Sequence, residues 1–129
     1  MRVPFWQYLI PKYGNFGGPG WSGGAMMSNY NEVDWSVEPV DSLDELFHKH
    51  DTYYQEAIKN RDSGRYTVDQ KDQKWLEADN ILIYDLEDLP IDPKEWENKP
   101  KGSTFYAWLY RKLAIYGFVL KVWVCNRLS

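Results

Sequence analysis

One histidine of this 129-residue chain has the neighbours that acid–base chemistry requires. His50 falls on the apolar stripe of a predicted helix, one turn after Phe47 and one turn before Tyr54, where it is partly shielded from water and needs a hydrogen-bond partner. A second predicted helix carries Asp72 and Asp79 on its own apolar stripe, and a buried carboxylate is costly unless it is paired. Antiparallel packing would bring one of these carboxylates to the imidazole and leave the other ring nitrogen free to act as a general base. The competing interpretation is a core histidine that is satisfied by a backbone carbonyl.

A glycine-rich loop is the second feature that could bind a ligand. Six of the nine glycines lie in residues 13–24, YGNFGGPGWSGG, and such a run is not the interior of a helix or strand. Its spacing differs from that of phosphate-binding loops, and it lacks their lysine. Inward-turned carbonyls and one bidentate carboxylate would instead supply the oxygen ligands that Ca²⁺ prefers. Asp51, directly after His50, is the natural carboxylate.

The elements that must position these residues are predicted to be helices. Capping-box patterns that begin at Ser42 and Thr67 predict amphipathic helices over residues 41–60 and 67–89, with short links that favour antiparallel packing. Two prolines end the second helix.

The remaining segments complete a single predicted domain over residues 1–129. A third helix is predicted over residues 104–124, and residues 25–38 resemble a further loop with few packing signals. The expected fold class is therefore mainly α, with two long antiparallel helices that carry the catalytic pair. A glycine-rich loop precedes them, a third helix follows, and one cysteine excludes intramolecular disulfides.

Composition and charge narrow the classes of partner. Apolar residues make up 43% and charged residues 26%, which excludes a disordered chain. Residues 1–98 carry 9 basic and 19 acidic side chains, whereas residues 99–129 carry 6 basic and no acidic side chains. This split disfavours nucleic acid and permits a basic surface that faces phospholipid headgroups, although two charged faces that keep the domain soluble would give the same pattern. No secretory signal is visible, and basic residues interrupt the most apolar segment, so no transmembrane span is expected.

Together, the loop and the first helix resemble phospholipase A2. Residues 13–20, YGNFGGPG, resemble the calcium loop of the secreted enzymes, and residues 39–57 resemble their catalytic helix without a gap, including His50-Asp51-x-x-Tyr54. Positions that hold half-cystines in the animal enzymes are occupied here by Asn15, Gly17, Leu46, Phe47 and Tyr53. The chain is therefore more similar to the cysteine-poor phospholipase A2 domains of parvovirus minor capsid proteins. Their Asp-Gln-basic-aromatic motif is matched by residues 72–75, DQKW.

The resemblance implies a role for each matching residue. His50 would be the general base, and Tyr54 would support the buried acid by hydrogen bonding. The Gly18 N–H would help to stabilise the oxyanion. Calcium would be held by the Asp51 carboxylate and by three loop carbonyls, those of Phe16, Gly18 and Gly20.

Two alignments compete for the buried acid. The parvoviral pattern selects Asp72, and the animal pattern, in which Glu77-Ala78-Asp79 replaces Glu-Cys-Asp, selects Asp79. The two lie two helical turns apart, about 10 Å, so only one can reach the imidazole. Asp72 is preferred because a chain without disulfides should follow its disulfide-free relatives.

One insertion departs from the family pattern. Residues 21–38 are longer than the family needs, and two outcomes are expected for them. They could fold out as a flap that dips into lipid, or they could distort the loop and weaken calcium binding.

The implied function is calcium-dependent hydrolysis of the sn-2 ester of glycerophospholipids at a bilayer surface, in an extracellular or virion-associated setting. An aromatic and basic set would seat the site on the bilayer, namely Trp6, Tyr8, Trp108, Tyr110, Arg111, Lys112, Lys121 and Trp123. Two alternatives are an inactive phospholipase-like module that binds membrane or protein and a structural helical domain. His48 is set aside as the base, because it lies about 200° from His50 round the helix and is expected to be solvated.

Overall fold

Three helices make up most of the protein. The computed structural model describes residues 10–128, in which α1 spans Ser42–Asp62, α2 spans Val68–Asp88 and α3 spans Thr104–Leu128. The mainly helical prediction is confirmed, and α1 and α2 begin and end within two residues of their predicted bounds. The chain's one cysteine, Cys125, is free and exposed. No helix within residues 10–128 is long and apolar enough to cross a membrane.

α1 and α2 pack against each other in opposite directions. Lys49, near the start of α1, contacts Asp85 near the end of α2, whereas Trp75, early in α2, donates to the Tyr54 carbonyl later in α1. The apolar stripes of both helices therefore face each other, as their spacing predicts. The expected antiparallel pair is present.

Capping side chains set where the two long helices begin. Thr67 makes the predicted capping box with Gln70 at the start of α2. The predicted cap of α1 is wrong by one residue, since Asp41 rather than Ser42 accepts the Asp44 N–H at 2.8 Å. The Ser42 hydroxyl instead accepts the Asn98 N–H, which ties α1 to the connection before α3.

The segment predicted as a loop with few packing signals is ordered and docked on the core. Strands β1, Trp21–Ser22, and β2, Ala25–Met26, form an antiparallel hairpin whose Gly23-Gly24 turn has positive φ at both positions. A short 3-10 helix follows at Tyr30–Glu32. Met27 and Val33 are buried in the core, so this segment neither folds out as a flap nor lacks packing.

A buried carboxylate fastens the glycine-rich loop to α1. Asp44 is fully buried and accepts backbone N–H groups from Asn15, Phe16 and Val40, each at 2.9 Å. Burial raises its pKa, and the three N–H groups partly offset that effect. Gly14 packs so close to this carboxylate that an added Cβ would lie 2.5 Å from it. The loop therefore has a defined position above the amino-terminal part of α1.

α3 closes the remaining side of the core. The buried Arg111 guanidinium donates to the Leu86 carbonyl of α2 at 2.8 Å, and the buried Tyr110 hydroxyl donates to the Pro11 carbonyl at 3.0 Å. The expectation that Tyr110 and Arg111 face a bilayer is therefore wrong. Both side chains are used to attach α3 to the domain. Trp6 and Tyr8 of the same expected set lie outside the described residues.

Candidate functional site

The predicted pair between α1 and α2 forms around Asp79. His50 Nε2–H donates to Asp79 Oδ1 at 2.7 Å, and both side chains are buried. Burial disfavours the imidazolium, but the neighbouring carboxylates of Asp51 and Asp79 outweigh it and raise the pKa of His50. Because Nε2 is held by Asp79, Nδ1 is the ring nitrogen left for a substrate or a water.

Asp72 does not take part in this pair. Its carboxylate is 59% exposed and contacts the Lys71 ammonium at 2.6 Å. The preference for Asp72 is therefore wrong, and the alternative, Asp79, is the acid beside His50. The two positions lie seven residues apart, which keeps both on one stripe of α2, but the crossing of the helices brings only the later one opposite His50.

Two further groups hold the Asp79 carboxylate. The Tyr54 hydroxyl donates to Asp79 Oδ1 at 2.5 Å, as the resemblance implies for this tyrosine. The Lys121 ammonium of α3 lies 3.0 Å from Asp79 Oδ2 and also donates to the Tyr54 hydroxyl. Burial opposes ionisation of Asp79, but His50, Tyr54 and Lys121 together lower its pKa. The carboxylate is therefore kept charged in a buried position.

Aromatic rings shield this cluster from water. Tyr54 stacks on Trp75, with ring centroids 4.2 Å apart and planes 2° from parallel, and the Tyr30 ring meets it edge-on at 5.7 Å. The Phe118 ring of α3 meets the His50 ring edge-on at 5.1 Å. Exclusion of water strengthens the electrostatic interactions inside the cluster.

Asp51 is buried next to His50 but points to the hairpin. Its Oδ2 accepts the Ser22 hydroxyl at 2.7 Å, and its Oδ1 lies 3.6 Å from His50 Nδ1. Burial raises the pKa of Asp51, so this carboxylate would gain stability from a cation placed beside it. His48 was expected to be solvated, but it is only partly exposed, because its ring packs edge-on against Phe16 with the centroids 4.6 Å apart.

The predicted calcium ligands fall into two groups. Phe16, Gly18 and Asp51 line the same cavity as His50, whereas Gly20 does not. The Gly20 carbonyl accepts the Met27 N–H at 2.8 Å, as part of the chain leaving the hairpin. Oxygen donors around a buried carboxylate suit Ca²⁺, and of the four predicted ligands only Phe16, Gly18 and Asp51 share the cavity with His50.

Side chains alone do not build a metal centre in the described part of the chain. Residues 10–128 contain no group of three or more His, Cys, Asp or Glu side chains that could hold an ion together. A cation here would therefore depend on backbone oxygens of the loop. The Gly18 carbonyl already accepts the Trp21 N–H at 3.1 Å, which leaves it one further lone pair.

A cavity of about 570 Å³ opens directly on His50. α3 contributes much of its apolar wall, and the loop forms the facing side. The residues involved include Pro11, Phe16, Gly18, Pro19, Phe47, Leu113, Ala114, Gly117 and Phe118. An apolar cavity with a few polar groups at one end is the usual form of a small-molecule site.

Comparisons with known proteins do not assign this arrangement. No protein-family model, curated protein or solved structure matches the chain. The chemistry of the site therefore has to be argued from its own residues.

Sequence reasoning missed Ser22 and missed the contact of Lys121 with Asp79. Lys121 continues the stripe of α3 that packs against the core, which is spaced at three and four residues through Ala107, Tyr110, Ala114 and Phe118, although its own side chain is 43% exposed. That register was visible in the sequence and puts Lys121 on the same side of α3 as the residues that contact the core. Ser22 carried no comparable signal, because only the fold of the hairpin brings its hydroxyl to Asp51.

Proposed function

We propose that this domain is a calcium-dependent phospholipase A2. It would hydrolyse the sn-2 ester of glycerophospholipids at a membrane surface and release a fatty acid and a lysophospholipid. The observation that carries the proposal is the buried His50–Asp79 pair, 2.7 Å apart, at one end of an apolar cavity. A general base, its orienting carboxylate and a cavity for an acyl chain are the parts that ester hydrolysis by water requires.

His50 carries the proton in the proposed reaction. With Nε2–H bound to Asp79, Nδ1 accepts a proton from a water, and the resulting hydroxide oxygen attacks the ester carbonyl. Asp79 keeps the imidazole in this tautomer and stabilises the imidazolium that forms, because its own pKa is lowered and it stays ionised. The proton then passes from His50 to the leaving alkoxide of the lysophospholipid.

The loop side of the cavity would stabilise the negative charge on the ester oxygen. Ca²⁺, when bound, supplies Lewis-acid stabilisation of that oxygen. The residues that would hold it are Asp51 and the carbonyls of Phe16 and Gly18, with the Gly18 N–H as an additional donor to the oxyanion. Ser22 would keep the Asp51 carboxylate in a fixed orientation.

The outer surface of α3 supports a bilayer as the partner. Large apolar side chains are exposed along this helix: Phe105, Leu113, Tyr116, Val119, Leu120, Trp123 and Val124. Lys112 and Arg127 lie over the rings of Trp108 and Trp123, at 4.8 and 4.9 Å from their centroids. Apolar area flanked by cations is typical of a helix that lies in the headgroup region of a membrane.

Fatty-acid release tests the proposal directly. We expect the wild-type protein to release fatty acid from mixed phospholipid vesicles with Ca²⁺ and not with a chelator. His50→Asn should abolish release while circular dichroism shows an unchanged helix content, and His48→Asn should retain the activity. Full activity of His50→Asn in a clean preparation would end the proposal.

An inactive phospholipase-like module is the second candidate. The hydrogen bonds that already occupy the Gly18 and Gly20 carbonyls favour it, because they reduce the oxygens open to a cation. Calcium titration by calorimetry separates the two functions. Vesicle binding without calcium binding or hydrolysis would select the inactive module.

A further inference from the structure

The third partner of Asp79 has no place in the proposed chemistry so far. Lys121 lies in the last third of α3, and its ammonium reaches 3.0 Å from Asp79 Oδ2. Its position over the Tyr54 ring, 5.0 Å from the centroid, adds a cation–π contact. Each oxygen of the carboxylate is therefore held from a different side, Oδ1 by α1 and Oδ2 by α3.

This contact differs from the other ion pair between helices. Lys49 and Asp85 are 2.9 Å apart, and the two lysines are similarly exposed, 45% for Lys49 and 43% for Lys121, but the Asp85 side chain is 21% exposed. Asp79 is 3% exposed, so its charge has little access to water and depends on its protein partners. An exposed ion pair contributes little to stability. Loss of one partner of a buried carboxylate leaves that charge with fewer groups to fix its position.

We propose that Lys121 is a positioning residue for the His50–Asp79 pair. It holds the Asp79 carboxylate through Oδ2, the oxygen that His50 does not contact, and through the carboxylate it fixes the orientation of the imidazole. The expected effect of Lys121 on kcat rests on the proposed function. Its effect on the orientation of the His50 ring does not depend on that function.

A different role would be direct contact with the substrate. Lys121 also lines the cavity, and its side chain is 43% exposed, so the ammonium could meet a lipid phosphate. The ion pair with Asp79 and the hydrogen bond to Tyr54 favour positioning, because they direct the charge inward. The experiment must therefore distinguish positioning of Asp79 from contact with the substrate.

Kinetics of matched lysine variants test the role. Lys121→Met should lower kcat by about tenfold or more with KM changed less than about twofold, and it should do so equally for phospholipid and for a short-chain nitrophenyl ester without phosphate. Lys121→Arg should restore part of kcat. Lys49→Met removes an ion pair of the same length elsewhere and should leave kcat unchanged.

A double-variant cycle tests whether Lys121 acts through Asp79. In an Asp79→Asn background, Lys121→Met should have little further effect on the residual kcat, because the carboxylate it holds is gone. Independent, multiplying losses would overturn the proposal. A raised KM for phospholipid alone would also overturn it, in favour of substrate contact.

Nuclear magnetic resonance of the histidine ring nitrogens provides a readout without activity. At one fixed alkaline pH, at which the imidazole is neutral, the wild type should show a single His50 tautomer with the proton on Nε2. Lys121→Met should broaden or split these signals, and Lys49→Met should not. If the wild type hydrolyses no ester but this spectral change occurs, the proposed function fails and the positioning role stands; an unchanged spectrum overturns the positioning role.

Discussion

The two sides of the cavity are held by different kinds of interaction. On the helical side, His50 and Asp79 project from regular helices whose apolar stripes face each other, and a single hydrogen bond joins them. On the loop side, the backbone around Phe16 depends on the buried carboxylate of Asp44 and on a hairpin that follows it. Side chains on helices are placed by periodicity, whereas a loop needs partners that are distant in the sequence. Substitutions on the loop side are therefore expected to lower mainly the free energy of unfolding, and substitutions on the helical side to lower mainly the rate of hydrolysis.

The largest expected effect concerns the helical side. Asp79→Asn should lower kcat for fatty-acid release by about 10³-fold, since loss of a well-placed acid–base partner typically costs between about 10² and 10⁴. Asp72→Asn, seven residues earlier on the same helix, should stay within about twofold of the wild type. Initial rates on the same vesicles measure both. A greater loss for Asp72→Asn would mean that the pair identified between α1 and α2 is not the catalytic one.

The next effect concerns the attachment of the loop. Asp44→Ala leaves three backbone N–H groups without their carboxylate and should lower the free energy of unfolding by about 3 kcal/mol or more. Glu56→Gln, at an exposed position of the same helix, should change it by less than about 0.5 kcal/mol. Urea unfolding followed by tryptophan fluorescence gives both values. Equal stability of the two variants would show that Asp44 does not hold the loop.

A smaller effect is expected within the loop itself. Gly18 has φ +127°, and an added Cβ would lie 3.2 Å from the Pro11 carbonyl, so Gly18→Ala must shift the backbone beside the cavity. Activity should fall by about tenfold, because the shift displaces the Gly18 N–H from its place beside the reacting ester, and a misplacement of about 1 Å can cost up to about 10²-fold in rate. Gly64 also has positive φ, +83°, but has open space around it. Gly64→Ala is therefore the control that carries the backbone strain without the loss of activity.

The smallest effect is a dependence of stability on pH. The pKa of Asp79 is lowered in the folded protein, so its contribution to stability is present above the unfolded value of about 3.9 and is lost as pH falls through the folded value. The difference in unfolding free energy between wild type and Asp79→Asn should therefore shrink between about pH 5 and pH 2. Urea titrations at several pH values measure it. A difference that grows as the pH falls would contradict the assignment of Asp79 as a stabilised carboxylate.

Local patterns were sufficient for the helices and for one member of the pair. The spacing of Phe47, His50 and Tyr54 placed the histidine on the inner face of α1, and that placement is confirmed by its burial. The periodicity of α2 narrows the acid partner of His50 to Asp72 or Asp79, and the preference for Asp72 is wrong, because the height at which two helices cross is not encoded in the periodicity of either. The register of α3 puts Lys121 on the core-facing side of the helix, but only the fold shows that its partly exposed ammonium reaches Asp79.

For the loop side, the amino-acid composition predicts an irregular backbone but not the contacts that hold it. Glycines at positions 14, 18 and 20 predicted irregular backbone, and all three adopt positive φ. Nothing local indicated that Asp44 would receive the loop or that Ser22 would reach Asp51, because these contacts join residues 28 or 29 positions apart.

The sequence by itself determined three helices, two of them with an apolar stripe, and an imidazole on an inner face, because these depend on interactions between residues three or four positions apart. Only the tertiary structure decided that Asp79 meets His50, that Lys121 completes the cluster and that Met27 and Val33 pack into the core. Each of these depends on the relative placement of whole elements, which is set by the summed packing of the core rather than by any one motif.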